Sequence, residues 1–241
     1  MRDDSGVLSA LLEQGARALC INLRTDAVEA FRSYFEMLED RGKHISLTAI
    51  TGAEEVARLH FLDSIALLNA ADFKNAHVID IGSGAGLPGV AIKVAEPSVS
   101  LTLLDSTGKR VAFLSELCTV LRLAAECINA RAEDAARQPS MREKYDIAVS
   151  RAVARLNVLC ELCLPFVRVG GIFIAMKGVS SADELSEAGH AIETLGAELL
   201  ECFDYIIPGT KIEHRAILIR KTSRTPEKYP RRFARIEKSP L

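Results

Sequence analysis

The chain of 241 residues has no tryptophan, few aromatic residues and no long apolar run. None of its apolar stretches approaches the roughly 20 residues that a membrane-spanning helix needs. The first residues, Met1-Arg2-Asp3-Asp4, are unlike a signal peptide. No internal repeat or low-complexity tract is evident either. These absences predict a cytoplasmic globular protein with no membrane contact, built as one main domain with an appendage.

The six cysteines do not form a metal-binding or disulfide framework. They are spread among predicted helices and strands, so we expect buried, reduced thiols. Cys160 and Cys163 form a C-x-x-C pair, but no second pair and no histidine pair lies nearby to complete a zinc site. We therefore expect both thiols to pack in the core, and no metal is expected.

The net charge of −2 conceals a basic end of the chain. The last 31 residues hold ten Lys and Arg against three Asp and Glu, a net charge of +7. Such a segment is typical either of a polyanion contact or of a solvated tail. Tyr229 and Phe233 lie among its arginines and could stack on nucleic-acid bases. No signature of an RNA-binding module accompanies them.

The segment 77–89 joins a buried strand to a glycine loop and then to a helix start. Glycines permit positive φ and a close approach of the backbone to a ligand, so we interpret the loop as a nucleotide-type cofactor site. It follows the spacing D-x-G-x-G-x-G, and the residues that we assign to it are Asp80, Gly82, Gly84, Gly86 and Leu87.

Two cofactor classes compete for this loop. The residues Gly84, Gly86 and Gly89 satisfy the dinucleotide spacing G-x-G-x-x-G, which keeps an NAD-dependent oxidoreductase as an alternative. Counted from Gly82, however, that spacing needs a glycine at 87, where the chain has leucine. An acidic residue such as Asp80 ahead of G-x-G-x-G favours S-adenosyl-L-methionine, because a carboxylate can face its cationic methionine end and would repel a pyrophosphate.

Hydrophobic spacing predicts helices over 5–21, 26–40 and 54–68, the second stopping near Gly42, followed by alternating strands and helices. The predicted strands are 76–81, 100–105, 126–130, 146–150 and 171–176, then a hairpin of 198–207 and 214–221. The predicted helices between them are 88–95, 108–123, 155–167 and 181–195. The pattern predicts an α/β fold of the class I methyltransferase (Rossmann-like) type, a seven-stranded doubly wound sheet with an antiparallel last strand. The expected parts are an N-terminal helical cap (1–70), a cofactor-binding domain (71–221) and a basic C-terminal tail (222–241).

Polar residues at strand ends are candidates for the ligand site, since such sheets bind ligands at the carboxyl ends of their strands. Asp105 ends the second strand, where a carboxylate can accept hydrogen bonds from ribose hydroxyls or cap the next helix. Ala132 and Glu133 follow the third strand and can reach an adenine edge. Arg151 follows the fourth strand and could contact a phosphate, guanine O6 or the cofactor carboxylate, or form a surface ion pair. Lys177 ends the fifth.

The segment after the fourth strand also excludes some methyl-transfer chemistry. Exocyclic-amine methylation usually shows an Asn/Asp-Pro-Pro-aromatic run there, and this chain has Ser150-Arg151-Ala152. Carbon-5 methylation of cytosine needs a Pro-Cys nucleophile, and the nearest cysteine lies in a predicted helix. Guanine N7 fits better, because its lone pair can attack the sulfonium methyl group without a general base.

Several blocks resemble the bacterial glucose-inhibited division protein B family, the small-subunit ribosomal RNA guanine-N7 methyltransferases. The blocks are 45–50 (Ile-Ser-Leu-Thr-Ala-Ile), 60–64 (His-Phe-Leu-Asp-Ser), 80–89 with its Gly-Leu-Pro-Gly ending, 103–114, 131–133, 150–152, 177–178 and 221–231. One departure is 42–44 (Gly-Lys-His), where the family often has Trp-Asn.

The resemblance implies methyl transfer from S-adenosyl-L-methionine to N7 of a guanine in 16S ribosomal RNA, on naked RNA or on a 30S particle, by a monomer. A non-catalytic RNA-binding assembly factor is a further alternative. The family's cofactor contacts correspond to Gly82, Leu87, Asp105, Ala132, Glu133 and Arg151. The full set of predicted cofactor-binding residues is Asp80, Gly82, Gly84, Gly86, Leu87, Asp105, Ser106, Ala132, Glu133 and Arg151, with Arg151 also predicted to be catalytic. The predicted substrate-binding residues are His60, Asp63, Lys177, Arg231 and Arg232, although a histidine beside Phe61 and Leu62 on a helix is more often packed or capping than a substrate ligand.

Overall fold

The computed structural model describes residues 4–45, 47–151, 154–179 and 182–241. Ser46 and Ala152, which belong to the family blocks quoted above, lie outside those ranges, as do the side chains of 42–44. No helix in the described part of the chain is long and apolar enough to cross a membrane.

A seven-stranded sheet in the order β3-β2-β1-β4-β5-β7-β6 forms the centre of the molecule. The first five strands are parallel to one another, and β7 is antiparallel to both β5 and β6. The predicted fold class, including the antiparallel last strand and the final hairpin, is therefore confirmed. The strands are β1 (His77–Ile81), β2 (Ser100–Asp105), β3 (Ala125–Asn129), β4 (Tyr145–Arg151), β5 (Val167–Gly178), β6 (Ala197–Ile206) and β7 (Glu213–Lys221).

Helices cover both faces of this sheet, as its buried strands require. Before β1 the chain forms α1 (Asp4–Ala18), α2 (Thr25–Ile45), α3 (Ala53–Glu55), a π-helical stretch (Val56–Leu62), α4 (Asp63–Ile65) and a 3₁₀ turn (Ala66–Asn69). The later helices are α5 (Gly89–Ala95), α6 (Gly108–Val120), α7 (Ala132–Ala135), α8 (Leu156–Cys163), a 3₁₀ turn (Leu164–Phe166), α9 (Ala182–Thr194) and α10 (Phe233–Lys238).

The N-terminal helices pack onto the sheet domain through a shared core. Phe31 and Phe61 are fully buried in the same cluster as Leu103 of β2 and Leu114 of α6. Tyr34 of α2 is also fully buried and donates a hydrogen bond from its hydroxyl to the carbonyl of Ala85 in the glycine loop, at 2.6 Å. The helices thereby hold one side of the cofactor loop in place.

The last twenty residues pack against the opposite face and are not a solvated tail. A second core cluster, which includes Ile79 of β1 and Leu159 of α8, contains Tyr229, which is 7 % exposed, and Ile236, which is fully buried. Arg142 donates hydrogen bonds to the carbonyls of Tyr229 at 2.9 Å and Thr225 at 2.8 Å. Stacking of Tyr229 on an RNA base, which its neighbours in the sequence suggested, is therefore wrong, because the ring is already used in the core.

Some element boundaries differ from the prediction. The helix α2 continues through Gly42 to Ile45, which packs against the core, so this glycine does not end it. The helix predicted over 155–167 ends at Cys163, and Val167 already begins β5. The pair Cys160 and Cys163 is fully buried in the core, as predicted.

Candidate cofactor and substrate site

The glycine loop opens onto a cavity of about 410 Å³ at the carboxyl ends of β1, β2, β3 and β4. Gly82, Gly84 and Gly86 all have positive φ, which explains why the loop is built from glycine. Eight of the ten predicted cofactor-binding residues line this cavity. They are Gly82, Gly84, Leu87, Asp105, Ser106, Ala132, Glu133 and Arg151.

Asp105 links β2 to the glycine loop and to the next helix. One carboxylate oxygen accepts a hydrogen bond from the backbone N–H of Gly84 at 3.0 Å, and the other from that of Thr107 at 2.8 Å. The side chain is buried and lines the cavity. Each oxygen retains one lone pair, so the same carboxylate can accept hydrogen bonds from two ribose hydroxyls.

Asp80 and Gly86 lie behind the loop and outside the cavity lining. Asp80 is fully buried, and its Oδ2 accepts a hydrogen bond from the N–H of Gly89 at 2.8 Å. Its Oδ1 has no hydrogen-bond partner among the described residues, and burial raises its pKa to about 7. The expectation that this carboxylate faces the cofactor is corrected, since its contacts are with the backbone that shapes the loop. A Cβ at Gly89 would come within 2.8 Å of the Asp80 Cβ, so the close packing here requires glycine.

A second cavity, of about 560 Å³, adjoins the first. Thr48, His60 and Arg151 line both of them, so these three residues form the boundary. The remaining wall mixes apolar and ionisable side chains from the N-terminal helices and from the ends of β5 and β7. Those residues are Ile50, Leu59, Asp63, Met176, Lys177, Gly178, Ile212 and His214.

Arg151 is held at the boundary by three partners. Its Nη1 donates to the carbonyl of Leu59 at 3.1 Å and to Asp63 at 3.3 Å, and its Nη2 lies 3.3 Å from Nδ1 of His60. The side chain is 17 % exposed. A guanidinium carries five N–H groups, so Arg151 has donors left for a ligand after these contacts.

Asp63 is the central acceptor of this buried network. Its Oδ1 accepts a hydrogen bond from the hydroxyl of Tyr205 at 2.8 Å and lies 2.8 Å from Nδ1 of His214. The carboxylate hydrogen bond raises the pKa of His214, while burial raises that of Tyr205. Because its carboxylate is only 1 % exposed, Asp63 acts on the site through Arg151 and His214.

His60 is the third member of the boundary. Burial and the nearby guanidinium lower its pKa to about 4, so its imidazole is neutral near pH 7. Its Nε2 lies 2.8 Å from the hydroxyl oxygen of Thr48. A neutral ring in contact with Arg151 and Thr48 can orient its neighbours but carries no charge for a phosphate.

Three predicted substrate contacts have different surroundings. The ammonium of Lys177 lines the second cavity, but it donates to the carbonyl of Ala154 at 2.5 Å and pairs with Glu184 at 2.8 Å. Arg231 lies away from both cavities, in an ion pair at 2.6 Å with Glu161, which is fully buried. The structure thus gives Arg231 an intramolecular partner in place of the expected RNA contact, whereas Arg232 is exposed.

Phe233 is a cavity residue that the sequence suggested for another purpose. It begins α10 and lines the first cavity near Leu162 of α8, beside Ala132. Its neighbours in the sequence suggested stacking on RNA, whereas its position makes it a wall of the cofactor cavity. Tyr205 and His214 had no predicted role, because only the folded chain brings them to Asp63. Thr48 belongs to the block 45–50, but no role in the site was predicted for it.

The first cavity has the groups that S-adenosyl-L-methionine requires. Asp105 can bind the ribose, Glu133 and the backbone at Ala132 can meet the adenine edge, and Arg151 can face the methionine carboxylate. Phe233 and Leu162 line the same cavity and can offer an apolar wall to an adenine ring. A parallel sheet with this loop and an antiparallel β7 defines the class I methyltransferases.

Comparison with known proteins identifies the family. The model of the GidB family, described as rRNA small subunit methyltransferase G, matches residues 27–207. A protein of Pelotomaculum thermopropionicum named ribosomal RNA small subunit methyltransferase G is 44 % identical over 237 residues, 98 % of this chain and 99 % of that protein. One of the same name from Alkaliphilus oremlandii is 42 % identical over 236 residues, 97 % and 99 % of the two chains. The chain belongs to the rRNA small subunit methyltransferase G family.

Solved structures agree on the fold at low sequence identity. A predicted O-methyltransferase from Agrobacterium tumefaciens matches with a TM-score of 0.52 at 16 % identity, over 70 % of this chain and 83 % of that one. The TYW2 protein of M. jannaschii in complex with AdoMet matches with a TM-score of 0.51 at 13 % identity, over 66 % and 76 %. Both similarities concern the fold alone.

Proposed function

We propose that this protein transfers the methyl group of S-adenosyl-L-methionine to N7 of a guanine in 16S ribosomal RNA. The observation that carries the proposal is the pair of adjoining cavities with Thr48, His60 and Arg151 at their boundary. The first cavity accommodates the cofactor and the second the guanine. When bound, the cofactor supplies an electrophilic methyl group on a sulfonium.

The residues of the chain contribute orientation to this reaction. Guanine N7 has its own lone pair, so no side chain has to remove a proton, and in-line positioning supplies most of the rate. Arg151 bridges the two cavities, with donors for the methionine carboxylate on one side and for the base on the other. Since N7 gains positive charge, a bare guanidinium would oppose the reaction, and Asp63 at 3.3 Å offsets that charge.

The RNA backbone is expected to lie over the mouth of the first cavity. Arg110 and Arg131 line that cavity, and Arg131 is exposed. Arg232 is exposed beside Phe233 and provides a further contact for a phosphate. His60, Asp63 and Lys177 line the second cavity and shape the space for the guanine.

We also propose that the three parts 1–70, 71–221 and 222–241 work together as a monomer in the cytoplasm, where ribosomal RNA is found. The shared core of the N-terminal helices and the sheet supports close association of the first two parts. Light scattering of the purified protein, alone and with RNA, gives its mass in solution and tests the monomer.

The test of the function is transfer of a tritiated methyl group to undermethylated small subunits. Borohydride and aniline cleave RNA at N7-methylguanine, so the label and a strand break should map to the same nucleotide. Arg151→Ala should lose turnover while the fold persists, which circular dichroism checks. Arg168→Ala is the matched control, because Arg168 lies at the amino end of β5, where it pairs with the partly exposed Asp146, whereas Arg151 lies at the carboxyl end of β4. Label at any atom other than guanine N7, or none at all, would contradict the proposal.

A further inference from the structure

Thr48 lies at the place where the two cavities meet. It sits between α2 and α3 and lines both the first and the second cavity. Its hydroxyl oxygen has two neighbours, the backbone N–H of Ile50 at 3.0 Å and Nε2 of His60 at 2.8 Å. The direction of the second hydrogen bond depends on which nitrogen of His60 carries the proton.

The surroundings of His60 place that proton on Nε2. Its Nδ1 lies 3.3 Å from Nη2 of Arg151 and 3.1 Å from the carbonyl of Leu59. A guanidinium has no acceptor, so a protonated Nδ1 would set two donors against each other. A bare Nδ1 instead accepts a charge-assisted hydrogen bond, which is roughly twice as strong as the neutral bond to the Leu59 carbonyl. That carbonyl already accepts a hydrogen bond from Nη1 of Arg151.

With Nε2 protonated, His60 donates to Thr48. The threonine oxygen then accepts two hydrogen bonds, from His60 and from Ile50, and both of its lone pairs are used. Its own hydroxyl proton is left for a third partner, and the open space around Thr48 is the junction of the cavities. Thr48 is therefore oriented as a donor toward whatever base occupies the second cavity.

We propose that Thr48 donates this hydrogen bond to O6 of the target guanine and so selects guanine over adenine. The inference rests on the proposed function, because it needs a guanine whose N7 points toward the cofactor cavity. N7 and O6 are neighbouring acceptors on the same edge of guanine, whereas adenine places an amino donor at the position of O6. A donor at the boundary therefore accepts guanine and opposes adenine.

The test couples the threonine hydroxyl to the base oxygen. Small subunits are reconstituted with 16S RNA that carries guanosine or 6-thioguanosine at the mapped target, since sulfur is a weaker acceptor. We expect the wild-type protein to lose about tenfold in kcat/KM on the thio base, the factor for one hydrogen bond. Thr48→Val should lose about tenfold on guanosine and show no further loss on 6-thioguanosine. Any change in the reactivity of N7 itself affects both proteins equally and cancels in the ratio.

Controls separate this role from a structural one. Thr48→Ser keeps the hydroxyl and should behave as wild type on both bases, while Thr48→Ala serves if the valine variant does not fold. The affinity for S-adenosylhomocysteine should stay within twofold of wild type in each variant. An equal thio penalty in Thr48→Val and wild type, or a loss of cofactor affinity alone, overturns the role of Thr48 and leaves the proposed function intact. Failure of the wild-type protein to methylate guanine N7 overturns the proposed function itself.

Discussion

The two cavities differ in how they are built. The first cavity, proposed for the cofactor, is formed largely by loops that directly follow β1, β2, β3 and β4. There the backbone N–H of Gly84 donates a hydrogen bond to Asp105. The second cavity, proposed for the guanine base and called the base cavity from here on, is formed by side chains that come from the N-terminal helices and from the ends of β4, β5 and β7. Its polar groups are hydrogen-bonded mainly to one another, with Asp63 and Arg151 at the centre.

This difference predicts that the two cavities respond differently to substitution. Loss of a group that lines the cofactor cavity alone should weaken cofactor binding, because we expect such a group to contact the ligand or to hold the loop. Loss of a group in the base cavity should affect turnover through the position of Arg151, with little effect on cofactor affinity. The substitutions below test this separation.

The largest effect is expected from Asp105→Asn in the cofactor cavity. The amide would place an NH₂ donor against the N–H of Gly84 or of Thr107, both of which now donate to the carboxylate. Because the amide also accepts one fewer hydrogen bond from the ribose, we expect the affinity for S-adenosylhomocysteine to fall by about 100-fold, measured by isothermal titration. Asp134→Asn, an exposed acid in α7, is the matched control and should bind as wild type. Equal affinities for wild type and Asp105→Asn would remove Asp105 from the site.

Asp63→Asn should give the converse result in the base cavity. The amide removes the negative charge beside Arg151 and presents a donor to Tyr205, His214 or Arg151. We expect turnover on small subunits to fall by about 30-fold, with cofactor affinity within twofold of wild type. Asp204→Asn breaks an exposed pair with Arg215 and should leave both quantities unchanged. A matching loss of cofactor affinity in Asp63→Asn would show that the cavities are not separate.

The same contrast explains what could be predicted from the sequence. The glycine loop and Asp105 lie at or directly after strand ends, so strand ends and glycine spacing were sufficient to predict that they meet at the first cavity. Arg151 was found for the same reason, since it ends β4. Asp80 shows the limit of that reasoning, because the pattern identifies the residue but not whether its carboxylate faces the ligand or the loop.

The base cavity depends on residues that are far apart in the chain. Asp63 meets Tyr205 and His214 across more than 140 positions, and no local pattern reports such a contact. The basic C-terminal segment was misjudged for a related reason. Its charge suggested a solvated tail as one alternative, whereas Arg231 pairs with Glu161 and Ile236 is buried in the core. The contact of its exposed arginines with RNA stays a prediction.

Phe233 tests whether the C-terminal segment belongs to the cofactor cavity. Phe233→Ala removes an apolar wall, and we expect the affinity for S-adenosylhomocysteine to fall by about tenfold. Phe233→Leu keeps most of the apolar surface and should lose only about twofold. Unchanged cofactor affinity together with weaker binding of small subunits would instead support the hypothesis that this ring stacks on RNA.

The smallest effect concerns His214 and pH. Asp63 raises the pKa of His214 above its usual value of 6.5, so the folded protein holds this proton more tightly than the unfolded chain. The resulting stability is fully present below pH 6.5 and is lost as the pH rises through the folded-state pKa. We expect His214→Gln to lower the free energy of unfolding by about 1 kcal/mol at pH 6 and by almost nothing at pH 9.

The titrations of neighbouring groups do not obscure this result. The pKa of His60 is lowered to about 4, so its neutral folded form loses stability as the pH falls below 6.5, the opposite direction to His214. Asp80, with a pKa raised to about 7, is present in both proteins, and its contribution cancels in the difference. Urea unfolding of wild type and His214→Gln at several pH values therefore isolates the pair with Asp63. A difference that grows toward pH 9 would mean that neutral His214, and not the imidazolium, stabilises the base cavity.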